Sequence, residues 1–416
     1  MQETEEYSFS ANRMLKGILR DGVRVFKGIT YARYQPFSEA VPERLQSGTD
    51  ATASGTVCPQ RTSRTNPSDG GEPLAVVGDG RLCLSAYSPE HGSNLPVMVW
   101  IHGGSFVRGG SEEKRYSCER MAREGNVVVF KISYRLGAQG YLYLPGSGIC
   151  NLGLKDQKTA LRWIREYAAE FGGNPQDITV FGQSAGALSI AALIATAQEP
   201  LPFRKAILQS APLGITITPS EASGITRAFL RRLRKAPEEA TVDELLDAQE
   251  KILGMKAGLT FMPMVEDFLH IPEQVRNSGL KIVIGYAGDD ASPFVSKKGR
   301  LLGTFLGRKA VRHLTESIFS KPSEEYAARL EAAGIEVTRY FIGWHPEGNR
   351  FGACHCIELP FLLGDRSEWA DAKFLKGMTD REYEDNCRDL VRAWTSFARE
   401  GIFPGGGILQ VRQANF

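Results

Sequence analysis

Short runs of apolar, often β-branched residues recur along the chain and alternate with longer amphipathic segments. Five of these runs have the length of a β-strand and are bounded by turn residues: LPVMVWI (95–101), NVVVFKISY (126–134), DITVFG (177–182), FRKAILQS (203–210) and KIVIGY (281–286). They lack a strict alternation of apolar and polar positions, as expected for parallel strands that helices cover on both faces. The pattern predicts a mostly parallel sheet buried between two layers of helices.

The segment between the second and third runs predicts a helix over 155–173. Apolar residues recur at helical spacing from Leu161 to Phe171, and a pair of glycines that begins at Gly172 ends the pattern. Strand, helix and strand in this order are typical of a doubly wound α/β sheet. Because no internal repeat and no linker interrupts the chain, residues 1–416 are expected to form a single domain.

Residues 216–280 have a different pattern, which is helical and strongly charged and lacks strand signals. We expect this segment to form a reduced helical cap that is inserted over the sheet. Its arginine-rich stretch, 227–234, is followed at once by the acidic stretch 238–244. Mixed charge of this kind favours a solvated helical face over a site for anions.

One serine lies at the turn between a predicted strand and an apolar helical stretch. Gly182-Gln183-Ser184-Ala185-Gly186 matches G-x-S-x-G, in which small residues permit a tight, strained turn that projects the hydroxyl from the sheet. The N-terminus of the following helix favours the negative charge that develops there. The strand and helix around this match distinguish it from a chance one, so Ser184 is predicted to be the nucleophile of an α/β-hydrolase.

A nucleophilic serine of this kind needs backbone N–H donors for the oxyanion, a base and an acid. Ala185 follows the serine, and the glycine-rich segment 102–105 (HGGS) follows a predicted strand, so both are candidate donors. In this fold the acid and then the histidine follow the serine along the chain. The strand that begins at residue 281 runs into Asp289 and Asp290, and both remain candidates for the acid.

Three histidines, His313, His345 and His355, follow these carboxylates. His313 lies in a charged helical stretch, and His345 precedes a proline in a polar turn. His355 lies in GACHCIELPFLLG, between small residues and before an apolar segment, which is typical of a loop packed against a core. We therefore predict His355 as the base. Its neighbours Cys354 and Cys356 do not predict a zinc site, because successive residues of an extended segment point to opposite sides.

Together these segments resemble the type B carboxylesterase and cholinesterase family. The longest matching block is 151–186, and the likeness covers most of the chain except the cap. Shorter matches are GVRVFKGITYA (22–32), VWIHGGSF (99–106), SYRLGAQGYL (133–142), AILQSA (206–211), YAGDDA (286–291), GACHCIELPFLLG (352–364) and WTSFAREG (394–401). The resemblance implies the α/β-hydrolase fold and a serine esterase that needs neither metal nor cofactor.

The resemblance also implies roles for residues that the pattern leaves open. The family carries its triad acid at the second position of a D-E-G segment, which corresponds to Asp290 here. Its oxyanion donors correspond to the N–H groups of Gly104, Ser105 and Ala185, and Ser210 corresponds to a hydrogen-bond partner of the acid. Ser105 replaces a glycine of the family, so its Cβ is expected to narrow the site and to disfavour esters of bulky tertiary alcohols.

Charge and cysteine content bear on partners and compartment. Fifty basic and 48 acidic residues nearly balance, which argues against a nucleic-acid partner. No apolar run reaches the roughly 18 residues that span a bilayer, and the acidic N-terminus is unlike a secretory signal. Cys58 and Cys83 match the family's first disulfide pair, which would need an oxidising compartment. The odd total of seven cysteines and the missing signal favour a cytoplasmic location, or secretion if a signal peptide has been removed.

The predicted reaction is hydrolysis of a small-molecule carboxylic ester through an acyl-enzyme on Ser184. Three alternatives stay open at this point. A transacylase or thioesterase would use the same chemistry with another acyl acceptor or donor, and a biosynthetic enzyme could use the site for an elimination or cyclisation. A non-catalytic recognition module is the third, although an intact serine, acid and histidine argue against it.

Overall fold

The computed structural model describes residues 3–10, 13–61, 78, 80–255, 259–295 and 301–413. Thirteen strands lie within these residues: β1 (Glu3–Ser10), β2 (Arg13–Arg20), β3 (Val23–Arg33), β4 (Val41–Pro42), β5 (Thr49–Asp50), β6 (Arg81–Pro89), β7 (Leu95–Ile101), β8 (Val128–Ile132), β9 (Gly173–Gln183), β10 (Lys205–Gln209), β11 (Lys281–Ala287), β12 (Glu336–Ile342) and β13 (Leu409–Gln413).

The same residues contain eleven α-helices: α1 (Glu119–Gly125), α2 (Gly137–Tyr141), α3 (Leu152–Tyr167), α4 (Ala185–Ala195), α5 (Pro219–Leu233), α6 (Val242–Glu250), α7 (Ser292–Val295), α8 (Phe305–Thr315), α9 (Lys321–Ala332), α10 (Leu359–Leu362) and α11 (Asp380–Glu400). A π-helical turn, Glu316–Ser320, joins α8 to α9. Among the described helices, none combines the length and the apolar character that crossing a membrane requires.

All strands belong to one mixed sheet in the order β1-β2-β3-β6-β8-β7-β9-β10-β11-β12-β13, with β4 paired to β3 and β5 to β2. The six central strands, from β8 to β12, run parallel. The flanking strands pair antiparallel, except for the short β5, which pairs parallel with β2. Every residue of β8 and β10 is buried, which explains why their sequences do not alternate between apolar and polar positions. The predicted doubly wound α/β sheet is confirmed, and each of the five predicted strands is present.

Helices cover both faces of this sheet. The helix predicted over 155–173 is α3, followed by a 3₁₀ turn and by Gly172, whose φ of 81° ends it in the left-handed region. Every residue of α4 is buried beneath the sheet's central strands. On the opposite face α11 buries Trp394 and Phe397, so two apolar cores hold the sheet between helical layers.

The segment 216–280 differs from the predicted helical cap in its second half. It contains α5 and α6, but its described residues beyond 250 form neither helix nor strand. Pro263 and Pro272 lack the N–H group that a helix needs, and they interrupt this stretch. The apolar side chains of this irregular stretch are nevertheless buried against the core, for example those of Phe261 and Val275. The segment therefore packs as an irregular layer beside two helices.

A buried ion pair holds the loop after β8 against α3. The guanidinium of Arg135 donates from Nη2 to Asp156 Oδ1 at 2.6 Å and from Nε to Oδ2 at 2.7 Å, and both side chains are fully buried. Two residues further on, Gly137 N donates to Phe106 O at 2.6 Å. The ion pair thus stabilises a loop that supports the glycine-rich segment after β7.

Candidate active site

Ser184 occupies the sharp turn between β9 and α4, with a φ of 58° and a ψ of −119°. Holding a non-glycine residue in this backbone conformation costs of the order of 1–3 kcal/mol of folding free energy. The conformation persists only when the surrounding structure enforces it. Gly186 explains part of that constraint, since a Cβ there would lie 2.0 Å from Ile101 O on β7. Ser184 N donates to Gln209 O at 2.9 Å. The turn is therefore the strained elbow that the motif predicts.

Asp290 and His355 meet near this elbow, although 65 positions separate them. The carboxylate of Asp290 is fully buried, and its Oδ1 lies 2.7 Å from His355 Nδ1. Its other oxygen, Oδ2, accepts a hydrogen bond from Ala287 N at 2.9 Å. A carboxylate at this distance places the ring proton on Nδ1, so that Nε2 keeps a lone pair for accepting a proton.

Asp289, the other candidate acid, forms hydrogen bonds to the loop that carries His355. Its N–H donates to Ala353 O at 2.8 Å, and its Oδ2 accepts from Ala353 N at 3.2 Å. Burial raises the pKa of the Asp289 carboxyl. Asp289 thus ties the loop that carries His355 to the end of β11, and its side chain does not reach the imidazole ring.

The structure brings the side chain of Gln183 to the imidazole, which the sequence analysis did not anticipate. Gln183 Nε2 lies 3.0 Å from His355 Nε2, and the glutamine is buried. Among the described residues, no hydrogen bond joins the Ser184 hydroxyl to His355. The amide N–H of Gln183 therefore occupies the lone pair of His355 Nε2. The only signal in the sequence is its place directly before the nucleophile.

The glycine-rich segment 102–105 packs directly against the elbow. A Cβ on Gly103 would lie 3.3 Å from Ser184 Cβ, and one on Gly104 would lie 2.1 Å from Arg108 O. Ser105 and Phe106 adopt φ angles of 57° and 60°, so the chain turns in the left-handed region at two non-glycine residues. This close approach brings the N–H groups of the segment beside the serine.

The predicted oxyanion donors are available in this arrangement. Within the described part of the chain, the N–H groups of Gly104, Ser105 and Ala185 donate to no protein acceptor. The segment that carries the first two is nevertheless well anchored, since Tyr134 Oη donates to His102 O at 2.6 Å. Free donors on a rigid backbone are suited to stabilise an oxyanion.

Two phenylalanines contact the ring of His355, and one of them is exposed to solvent. The ring centroids of Phe294 and Phe319 each lie 5.2 Å from that of the imidazole. Phe319 is buried, whereas Phe294 is 52% exposed. The pair forms an apolar wall beside the imidazole. We call the side on which Phe294 is exposed the open side of the site.

A second buried carboxyl, Glu358, lies three residues after His355, at the N-cap of α10. Its Oε1 accepts from Gln209 Nε2 at 3.0 Å, and Gln209 Oε1 accepts from Trp394 Nε1 at 3.2 Å. Glu358 Oε2 is buried and has no partner among the described residues. Burial, reinforced by the charge of Asp290, raises the pKa of Glu358 to about 7. The sequence analysis did not identify Glu358 as part of this environment.

The raised pKa of Glu358 predicts a pH-dependent contribution to stability. A carboxyl that is easier to protonate in the folded state stabilises the fold at pH 4 and below, and this contribution is lost as the pH rises towards 7. We expect the free energy of unfolding of the wild type, relative to Glu358→Gln, to fall by about 3 kcal/mol between pH 4.5 and 7.5. Urea unfolding across this range measures it, with Glu238→Gln at an exposed position as control. A difference that does not change with pH would contradict the prediction.

The remaining candidates lie outside this arrangement. Ser210 is buried and its N–H donates to Gly285 O at 2.8 Å, but no hydrogen bond joins its hydroxyl to Asp290 in the described structure. His313 is exposed on α8, and His345 is also exposed, with its Nδ1 2.9 Å from Pro346 O. Neither approaches Ser184 through any described contact, and His355 is the histidine that the fold brings to Asp290.

Cys58 and Cys83 are both free thiols in the structure. Cys58 Sγ accepts a hydrogen bond from Leu136 N at 3.1 Å, and burial raises the pKa of this thiol to about 12. Cys83 Sγ lies 3.7 Å from Thr56 Oγ1. The disulfide that the resemblance implies is therefore not formed here, and the two thiols have separate partners.

A strained serine between a parallel strand and a buried helix, an anchored segment of free N–H groups and a carboxylate–histidine pair define a hydrolase site of the α/β-hydrolase class. The chain belongs to the carboxylesterase family, whose model matches residues 14–301.

Relatives and solved structures agree with this membership. The chain is 34% identical to a protein of Rhodococcus erythropolis described as a probable N-octanoylanthranilate hydrolase, over 93% of this chain and 91% of that protein. It is 31% identical to the para-nitrobenzyl esterase of Bacillus subtilis, over 93% and 88% of the two chains. A solved structure of a PNB esterase superposes with a TM-score of 0.81 at 30% identity, over 95% and 90% of the chains. The protein is therefore a serine carboxylic ester hydrolase with the α/β-hydrolase fold.

Proposed function

We propose that Ser184, His355 and Asp290 form the catalytic triad of a carboxylesterase that acts through an acyl-enzyme. The 2.7 Å contact between Asp290 Oδ1 and His355 Nδ1 carries this proposal. It fixes the ring so that Nε2 faces the residue directly before the nucleophile. The strained backbone of Ser184 and the free N–H groups beside it support the same assignment.

The proposed reaction has two acyl-transfer steps. His355 Nε2 removes the Ser184 proton as Oγ attacks the ester carbonyl, and Asp290 stabilises the imidazolium that forms. The N–H groups of Gly104, Ser105 and Ala185 stabilise the oxyanion. The imidazolium then protonates the leaving alcohol, and the acyl group stays on Oγ. Water, deprotonated by His355, attacks the acyl-enzyme, and the carboxylic acid leaves as Ser184 regains its proton.

Gln183 adds a step at the start of this sequence. Its amide must release His355 Nε2 before the serine hydroxyl can donate to the same nitrogen. A glutamine is suited to such an exchange, because its amide group holds a donor for the neutral ring and an acceptor for the protonated one. Gln183 therefore acts as a positioning residue for the base.

We propose small-molecule esters with apolar acyl groups as substrates. The wall formed by Phe294 and Phe319 lies beside His355 and provides apolar contact at the open side of the site. One relative is named for a para-nitrobenzyl ester, and another is named as a probable hydrolase of the amide N-octanoylanthranilate, so an ester and an amide are both suitable probes. Because Ser105 has a Cβ in the oxyanion segment, esters of tertiary alcohols should react poorly.

A fluorophosphonate probe tests the proposed acyl-enzyme directly. The probe should label the wild type once, and peptide mapping should place the label on Ser184. Hydrolysis of p-nitrophenyl esters with acyl chains of two to about twelve carbons should stop in proportion to labelling. The Ser184→Ala variant is the control. Esterase activity that continues in the fully labelled protein would overturn the assignment of the nucleophile.

Replacing Gln183 with glutamate should change the pH dependence of the reaction. A carboxylate about 3 Å from His355 Nε2 favours the protonated imidazole, which cannot accept the serine proton. We expect the acid limb of the kcat/KM profile to move upward by about one to two pH units. Gln183→Met removes the hydrogen bond without adding charge and should not move the limb upward. Identical profiles for the two variants would contradict this role for Gln183.

A further inference from the structure

Large apolar side chains at the start of α8 and just before it are exposed to solvent. Phe305 is 74% exposed and Leu306 is 75% exposed, and Leu301, just before the helix, is 55% exposed. Single exposed apolar residues are ordinary on protein surfaces, but several grouped at one place mark an interaction site. These three lie within six positions of one another.

Basic side chains share the same face of the helix. With about 100° of rotation per residue, Phe305, Leu306, Arg308, Lys309, Arg312 and His313 fall within an arc of about 160°. All six are exposed. Gly307, Val311 and Thr315 point to the opposite side and are buried. We call the six exposed residues, together with Leu301, the α8 face. The α8 face combines exposed apolar side chains with cationic groups. A helix face that contacts only water has no need of exposed apolar side chains.

The charge of this region is one-sided. Residues 291–315 contain six lysines and arginines and no aspartate or glutamate, although the whole chain has a net charge of only +2. Within the described residues Arg308, Lys309 and Arg312 form no ion pair. Asp289 lies within electrostatic reach of Arg312, and Glu316, the next acid along the chain, pairs with Lys321. The cationic groups of the α8 face are therefore free to attract an anionic partner.

The α8 face lies beside the open side of the active site. Helix α7 packs against α8 and carries Phe294, whose exposed ring contacts that of His355. The π-helical turn after α8 carries Phe319, the other ring against His355. A surface that touches the α8 face would thus lie next to the entrance to the reacting groups.

We propose that the α8 face docks on an anionic lipid surface and turns the open side of the active site towards it. Apolar side chains among lysines and arginines fit an anionic bilayer, since the apolar tips enter the acyl boundary while the cations contact head groups. A second copy of the chain fits less well, because facing α8 helices would bring like charges together. If the proposed ester hydrolysis is correct, docking would also supply substrates dissolved in the lipid, although binding itself does not depend on catalysis.

Vesicle sedimentation tests the docking apart from the chemistry. The full-length Ser184→Ala variant should sediment with vesicles of phosphatidylcholine that contain about a third phosphatidylglycerol, and high salt should release it. Phe305→Ser/Leu306→Ser should weaken binding about 10-fold or more. Arg308→Gln/Lys309→Gln/Arg312→Gln should weaken it about 100-fold. Ile402→Ser, which removes an apolar side chain that is 55% exposed outside the α8 face, should bind as before.

Kinetics separate a failure of docking from a failure of the proposed function. In an otherwise wild-type chain, Phe305→Ser/Leu306→Ser should hydrolyse dissolved p-nitrophenyl butyrate normally and a vesicle-embedded p-nitrophenyl ester about 10-fold more slowly. Circular dichroism confirms folding, and the single variant Lys309→Gln replaces any multiple variant that does not fold. Equal vesicle binding by all folded variants, or equal binding to pure phosphatidylcholine, would overturn the proposal. So would a dimer in sedimentation equilibrium that the α8 variants dissociate while vesicle binding is absent.

Discussion

The Ser184→Ala variant is expected to hydrolyse p-nitrophenyl esters with a kcat/KM about 10⁴- to 10⁶-fold below that of the wild type. Loss of Oγ removes the acyl-enzyme route, whereas the oxyanion donors remain and account for residual activity. The fold should persist, because Ser184 already adopts the strained φ of 58° and alanine meets the same steric limits there. Initial rates and thermal unfolding of the purified variant measure both effects.

Ser189→Ala is a matched control on the same helix. Ser189 is buried five residues after Ser184, and its hydroxyl donates to Ala185 O at 2.9 Å and accepts from Gln157 Nε2 at 3.0 Å. Its loss should alter kcat/KM by less than about 10-fold, because the hydroxyl supports packing and takes no part in acyl transfer. If the two variants lost similar amounts of kcat/KM, the loss in Ser184→Ala would reflect a disturbed turn and not the missing nucleophile.

Asp290→Asn should lower kcat/KM by about 10⁴-fold. The carboxylate accepts the Nδ1 proton of His355 at 2.7 Å, and an amide in its place neither compensates the imidazolium charge nor enforces the required tautomer. Because the Ala287 N–H still finds an oxygen acceptor in asparagine, the loss should appear in kcat and not in folding. Steady-state kinetics above pH 8 check this prediction.

Asp289→Asn supplies the comparison, since the two aspartates are adjacent. Asparagine retains an oxygen that can accept from Ala353 N, and the backbone bond to Ala353 O is unaffected. We expect a loss of less than about 10-fold, caused by small shifts of the loop that carries His355. Equal losses at the two positions would refute Asp290 as the acid.

This pair of aspartates shows how far sequence reasoning reaches. Both follow the same predicted strand, and successive residues there point in different directions, so the strand pattern alone could not choose between them. The resemblance to the family selects Asp290, and the structure places its Oδ1 against His355 Nδ1 while Asp289 binds Ala353. The choice depends on where a loop 65 positions away packs.

The contacts of Gln183 and Glu358 could not be predicted from local sequence patterns. Gln183 meets His355 across 172 positions, and Gln209 meets Glu358 across 149. Each contact joins residues that lie far apart in the chain, on strands and loops whose relative positions the whole sheet determines. Neither the type of these residues nor their spacing in the sequence predicts that their side chains lie near His355. The one local indication is that Gln183 lies directly before the predicted nucleophile.

The sequence by itself determined the features that local physics enforces. β-branched runs predicted the central strands, and small residues at 182 and 186 predicted the elbow, because a Cβ at either position would clash with neighbouring backbone. The tertiary structure decided which aspartate meets His355, which side chain occupies Nε2 and which face of α8 stays uncovered. Each of these outcomes depends on how elements that are distant in the sequence pack together. Burial and charge then act between residues that are far apart along the chain.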